Sequence, residues 1–135
     1  MNAKHNYSRG NTPLHRACYN GHAEVVIALL EKGSDMHAKT GDGWMPLHET
    51  CYKGHAEVTV ALLEKGSDVH AETIDGMTPL HEACESGHAE VAVVLLEKGA
   101  DIHAEAIDGA TPLGVAEMNY WNAIAAMLRE YGAVE

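Results

Sequence analysis

The chain has 135 residues, 46% of them hydrophobic and none phenylalanine, with a net charge of −11 from 20 Asp plus Glu against 9 Lys plus Arg. Its length suits a single domain, 1–135. The acidic balance opposes nucleic acid and anionic lipid as partners and favours a protein with basic surface. No apolar run approaches the roughly 20 residues of a membrane span, and Met1–Gly10 is polar, so no signal peptide is expected.

Residues 1–6 read as a lead-in whose Asn2-Ala3-Lys4 looks like His37-Ala38-Lys39, the end of a unit. From residue 7 the chain repeats itself. Pro13, Pro46, Pro79 and Pro112 are 33 residues apart, as are Gly21, Gly54 and Gly87, and Gly33, Gly66, Gly99 and Gly132. A fixed period of this length marks an array of stacked units, placed at 7–39, 40–72, 73–105 and 106–135.

The third unit, TIDGMTPLHEACESGHAEVAVVLLEKGADIHAE, shows the local chemistry. Asp75-Gly76 is a turn dipeptide. Thr78 is placed to cap a helix that begins at Pro79, where the missing proline N–H has no helical partner to lose. His81 lies within reach of that cap. Gly87 ends this first helix, predicted over 79–86, and a second is predicted over 89–98. Val91, Leu95 and Leu96 mark its buried stripe, and Val25 and Leu29 mark the same stripe in the first unit. Gly99 stops the second helix, with Lys98 favourably placed at the negative end of its dipole.

The departures from this pattern predict local differences. Met45 replaces the capping threonine, so that helix start should be less well held. In the last unit Gly114 replaces histidine, Tyr120-Trp121 replaces Gly-His, and Arg129 replaces leucine. A polar residue suits a terminal unit with no neighbour on one side, so this unit is read as a C-terminal cap. The first unit has no such feature and should fray.

Thr-Pro-Leu-His followed by Gly-His, Leu-Leu and Gly-Ala-Asp-Ile, complete in the third unit and recurring in register with substitutions in the other three, closely resembles the ankyrin repeat. The resemblance implies an all-α solenoid of stacked helix-turn-helix units with projecting β-turn fingers. It also implies non-catalytic protein binding on a concave face made by the fingers and the first helices. The finger positions carried over are Arg9, Asn11, Asp42, Trp44, Asp75, Met77, Asp108 and Ala110. Those on the first helices are Tyr19, Tyr52, Lys53, Glu85 and Met118. Trp44 at a finger tip has no core to fill, and Tyr19 and Tyr52 are successive copies of one position, so these three aromatics are the expected anchors. Toward units three and four the face turns acidic, which suits a partner with apolar and basic surface.

A rival surface is the row Ile27, Val60 and Val93 on the second helices, apolar where the family usually places polar residues. It would suit self-association. The near-identity of units one to three would also fit a consensus-derived array without a natural target, although irregularities such as Met45, Thr50 and Met77 favour natural drift.

Ten histidines raise a metal reading. Equivalent copies would stand about 10 Å apart, whereas Zn–N bonds are about 2 Å, so copies of one position cannot share an ion. No CxxC or HxxxH spacing is present, and neither a metal nor a cofactor is expected. There is no glycine-rich phosphate loop and no Gly-x-Ser-x-Gly elbow, so no catalysis is expected either. Cys18, Cys51 and Cys84 occupy one unit position, too far apart for a disulfide. They read as free buried thiols of a reducing, cytoplasmic setting.

Overall fold

The computed structural model describes residues 10–134. The lead-in over 1–6, the Asn2-Ala3-Lys4 segment and Arg9 lie outside the described residues. Residues 10–134 fold as four helix pairs: α1 (Pro13–Asn20) with α2 (Ala23–Glu31), α3 (Pro46–Lys53) with α4 (Ala56–Glu64), α5 (Pro79–Ser86) with α6 (Ala89–Glu97), and α7 (Pro112–Met118) with α8 (Asn122–Glu130). No strand occurs among the described residues.

Each first helix starts as its residue types dictate. Thr12, Thr78 and Thr111 hold extended backbone and accept, through Oγ1, from the N–H of His15 (3.2 Å), His81 (3.3 Å) and Gly114 (3.1 Å). Met45 keeps the same backbone, φ −89° and ψ 163°, without a side-chain cap. The His48 Nδ1 still accepts from the Met45 N–H at 3.0 Å, so one of the two local bonds survives. The methionine side chain is buried in the core instead. Each second helix has Glu24, Glu57 or Glu90 in its first turn, except α8, and Lys32, Lys65 and Lys98 are the C-caps of α2, α4 and α6. The third unit's second helix thus ends at Glu97, one residue before the end expected from sequence.

The first helices stack side by side and the second helices lie behind them. Contact is more extensive along α1, α3, α5 and α7 than along the second helices. The core is one continuous seam of Leu14, Leu47, Leu80 and Leu113 with Val58, Val91, Leu62, Leu95, Ile124 and Leu128. The first unit departs from the expected stripe. Val25 is 48% exposed, whereas Val58, Val91 and Ile124 at the same position are at most 4% exposed. The preceding helix pair covers that position in the other three units.

The second unit carries a polar pair in place of small apolar residues. Thr50 stands where Ala17, Ala83 and Ala116 stand, and Thr59 where Val26, Ala92 and Ala125 stand. Both are fully buried, and their hydroxyls meet at 2.8 Å. Each also donates or is held locally, Thr50 to the Leu47 carbonyl and Thr59 to the His55 carbonyl. Each hydroxyl thus has a carbonyl acceptor of its own, and their contact gives each a further partner.

Between units, glycine is required by the neighbour as well as by its own backbone. Gly54 has φ +81°, and a Cβ there would lie 2.5 Å from the His88 ring. Tyr120, at the same position of the last unit, has φ +63° with no following ring to meet. The left-handed backbone is strained for tyrosine by about 1 kcal/mol, and the steric conflict is absent.

Two outcomes are expected in urea unfolding. Gly54→Ala should lose about 2 kcal/mol or more, while Tyr120→Gly should be neutral or stabilise by about 1 kcal/mol. Equal effects at the two sites would remove the stacked ring as the cause. Thr50→Ala alone should cost about 1–2 kcal/mol, but Thr50→Ala with Thr59→Ala should cost less than the two single changes added together. Additive losses would show that the hydroxyls do not couple.

Candidate functional site

The side formed by the first helices and the fingers is held by three buried histidines. His15, His48 and His81 are fully buried. Each Nδ1 accepts from its own helix-cap N–H, at 3.1 Å from Thr12, 3.0 Å from Met45 and 3.1 Å from Thr78. Each Nε2 faces a carbonyl of the next unit's finger, Trp44 at 2.8 Å, Met77 at 3.1 Å and Ala110 at 2.8 Å, and that of His48 also faces the Ala71 carbonyl near the end of its own unit at 3.1 Å. A carbonyl only accepts, so Nε2 carries the proton and Nδ1 does not. The ring is therefore neutral, and one side chain ties a helix start to the adjacent finger.

A second histidine set does the same on the other side of the hairpin. His55 Nε2 donates to the Tyr19 carbonyl at 2.9 Å and His88 Nε2 to the Tyr52 carbonyl at 3.0 Å. In the last unit the Trp121 Nε1–H takes over, reaching the Glu85 carbonyl at 2.9 Å. The histidines of these two motifs thus have structural work. Among the described residues no group of three or more His, Cys, Asp or Glu is placed to hold a metal ion.

The fingers are β-turns closed by Thr40, Thr73 and Ala106, and they are also tied to one another. The Ile74 N–H donates to the Asp42 carbonyl at 3.0 Å and the Ile107 N–H to the Asp75 carbonyl at 2.9 Å. Two shallow grooves lie between successive fingers. One, of about 190 Å³, is lined by Asp42, Trp44, Thr73, Ile74, Asp75, Met77 and Glu82. The next, of about 270 Å³, is lined by Asp75, Met77, Ala106, Ile107 and Asp108.

The structure brings most of the expected site residues together but reassigns Trp44. Its side chain is only 3% exposed, packed edge-on against Tyr52 with ring centroids 5.6 Å apart and tilted against His48 at 5.6 Å. It does have a core to fill, and the expectation of a fully displayed anchor is corrected on that ground. Tyr19 and Tyr52 are half-buried, with Lys53 Nζ 4.8 Å above the Tyr19 ring. Asp42, Asp75, Met77 and Asp108 line the grooves. Glu85 is half-buried, and Met118 is 72% exposed at the far end. In the rival row Ile27 is exposed, whereas Val60 and Val93 are half-buried. The reading of aromatics missed Ile74, 60% exposed, and Ile107, 77% exposed. Their signal was a β-branched apolar residue directly before an Asp-Gly turn, where no helical stripe could absorb it.

Burial also sets the ionisation of the inner helices. Desolvation lowers His15 and His81 and brings His48 down to about 4. Burial, and secondarily the Glu82 charge, pushes the Glu49 carboxyl up to about 8. Burial likewise raises the three free thiols, Cys51 and Cys84 to about 12, which leaves them poor nucleophiles at neutral pH. For His48 the unfolded chain binds more protons than the native one between pH 4 and 6.5, so its contribution, on the order of 3 kcal/mol, grows through that window and is complete above it. For Glu49 the native state binds more protons between pH 4.5 and 8, so its contribution is complete at the acid end and lost toward pH 8.

Two measurements follow from these opposed windows and from the burial of Trp44. Unfolding midpoints followed against pH should fall toward pH 4 and again between pH 6.5 and 8, and Glu49→Gln should flatten the alkaline fall. An alkaline limb unchanged in that variant would remove Glu49 as its source. Trp44→Ala should cost about 3 kcal/mol in urea unfolding. A change within error would return the indole to the solvent-exposed surface.

No helix among the described residues is long and apolar enough to cross a membrane. A family model described as ankyrin repeats (3 copies) matches residues 32–106 and 72–134, and one described as ankyrin repeats (many copies) matches residues 1–50. The chain is similar to ankyrin repeat domain-containing protein 49 of Bos taurus, 62% identical over 29 residues, and of Homo sapiens, 55% identical over 29 residues. Each match covers 22% of this chain and 12% of the relative's length. Ankyrin repeats are generally protein-interaction modules and typically non-enzymatic. With stacked helix pairs, linked fingers and family matches along nearly its whole length, this chain belongs to the ankyrin repeat family.

Proposed function

We propose that the chain binds a partner protein on its concave side, through a segment laid across the grooves between the fingers. The observation that carries this reading is the pairing of apolar walls with acidic rims in two successive grooves. Ile74, Met77 and Ile107 offer contact area that no core residue covers fully. Asp42, Asp75 and Asp108 stand beside them at each step. A partner segment that alternates apolar and basic side chains matches both features.

Within this reading Trp44 forms a wall and Tyr19, Tyr52 and Lys53 form a half-buried shelf at the first groove. Glu85 and Met118 extend the face along the inner helices. Because fingers and helices are cross-linked by hydrogen bonds, little entropy is lost on binding, and that preorganisation is the mechanism. Three free thiols support an intracellular setting for the encounter.

The test is selection of binders from a random peptide library, followed by amide shift mapping. Enriched peptides should alternate basic and apolar residues and perturb Gly43, Gly76 and Gly109 in the fingers. Ile74→Asp with Ile107→Asp should weaken them about tenfold or more, or 1.4 kcal/mol, without altering the melting temperature. Perturbations centred on Ile27, Val60 and Val93 would instead assign binding to the outer helices.

A further inference from the structure

The two finger grooves share a wall, Asp75 and Met77, but they do not hold the same groups. The first, of about 190 Å³, runs along the Trp44 side chain and reaches inward to Glu82 on α5. The second, of about 270 Å³, is larger and is lined by Ala106, Ile107 and Asp108. Glu49 and Glu82 occupy one position of the first helices, and the fourth unit has Val115 there. Glu82 is 1% exposed and Val115 is also buried. The first helices therefore offer a carboxylate to the first groove and an isopropyl group at the matching position of the next unit.

This difference decides which groove takes a cation. Asp75 and Asp108 are exposed, and contacts with exposed carboxylates are weak because water and salt screen them. Asp108 is also committed locally, its Oδ1 accepting from the Ala110 N–H at 3.0 Å. A carboxylate withdrawn from water holds a cation far more strongly. The Glu82 charge already acts on the buried Glu49 carboxyl, which burial and then that charge push up to about 8. A cation beside Glu82 offsets this repulsion. Trp44, Ile74 and Met77 supply apolar surface along which the methylenes of a basic side chain can lie. Successive units stand about 8–10 Å apart. A polyproline II segment brings residues i and i+3 to one side at about 9 Å, whereas a β-strand turns them to opposite faces.

We propose that the two grooves bind a polyproline-type segment of a partner protein, with a basic side chain against Glu82 in the first groove and an uncharged apolar side chain, three residues away, in the second. This rests on the concave-side reading and adds a fixed register to it, because the deep carboxylate belongs to the first groove.

Four acetylated and amidated peptides are the probes: Arg-Pro-Pro-Leu, Leu-Pro-Pro-Arg, Leu-Pro-Pro-Leu and Arg-Pro-Pro-Arg. Each is titrated into the full-length chain and followed by the amide shifts of Gly43, Gly76 and Gly109. The two mixed peptides cover both chain directions, and the better one should bind about tenfold or more tighter than either symmetric peptide. Glu82→Gln, nearly identical in shape, should weaken that peptide about tenfold or more and leave the dileucine peptide unchanged. Val115→Glu should strengthen the diarginine peptide about tenfold by giving the second groove a carboxylate of its own. Circular dichroism checks that each variant is folded, and Glu82→Gln decides alone if Val115→Glu is not. A mixed peptide whose binding ignores Glu82→Gln overturns the cation seat, and equal binding of all four peptides overturns the register. No finger shift with any of the four at millimolar concentration also overturns this inference. The broader concave-side reading would still stand or fall on the longer peptides selected from the random library.

Discussion

The array rests on one repeated interaction, a neutral imidazole stretched between a helix cap and the next unit's finger. Both ring nitrogens of His15, His48 and His81 are committed, one as acceptor from its own cap and one as donor to the neighbour. Because the ring is fully buried, each bond is strong and each loss is expensive. Helix start and the neighbouring finger are therefore tied through one side chain.

The same dependence explains why equivalent positions carry different residues. Glycine is needed at 21, 54 and 87 because a ring from the next unit lies on it, and tyrosine is admitted at 120 where none does. Trp121 replaces histidine without losing the link, since what the site requires is an N–H at the right reach. Gly114, by contrast, faces no following finger among the described residues, and no ring stands there. Thr50 and Thr59 make the opposite point. Neither is required by a neighbouring unit, and each is accommodated in the core by a carbonyl of its own helix pair and by the other hydroxyl beside it.

The recognition side inherits its rigidity from these links. Backbone bonds from Ile74 to Asp42 and from Ile107 to Asp75 hold successive fingers in step, so apolar and acidic groups recur at a fixed spacing along the grooves. Trp44 was misplaced by sequence reasoning because a single unit departs there: Asn11, Met77 and Ala110 occupy the equivalent positions, and none forecasts an aromatic packed on Tyr52. Ile74 and Ile107 were overlooked for the reverse reason, being neither aromatic nor on a helix stripe.

The sequence by itself determined the architecture. Proline and threonine at helix starts, glycine at helix ends and a strict 33-residue period specify the helix pairs and their stacking, because these are local backbone constraints repeated in register. It also placed the cysteines inside and the fingers on one edge. Tertiary structure alone decided which surface residues are available. The exposure of Val25 and the ionisation of Glu49 depend on what the adjacent unit covers, while the packing of Trp44 on Tyr52 and the contact of Thr50 with Thr59 depend on how one unit folds on itself. A residue's own identity sets its local conformation, whereas its exposure belongs to the neighbour.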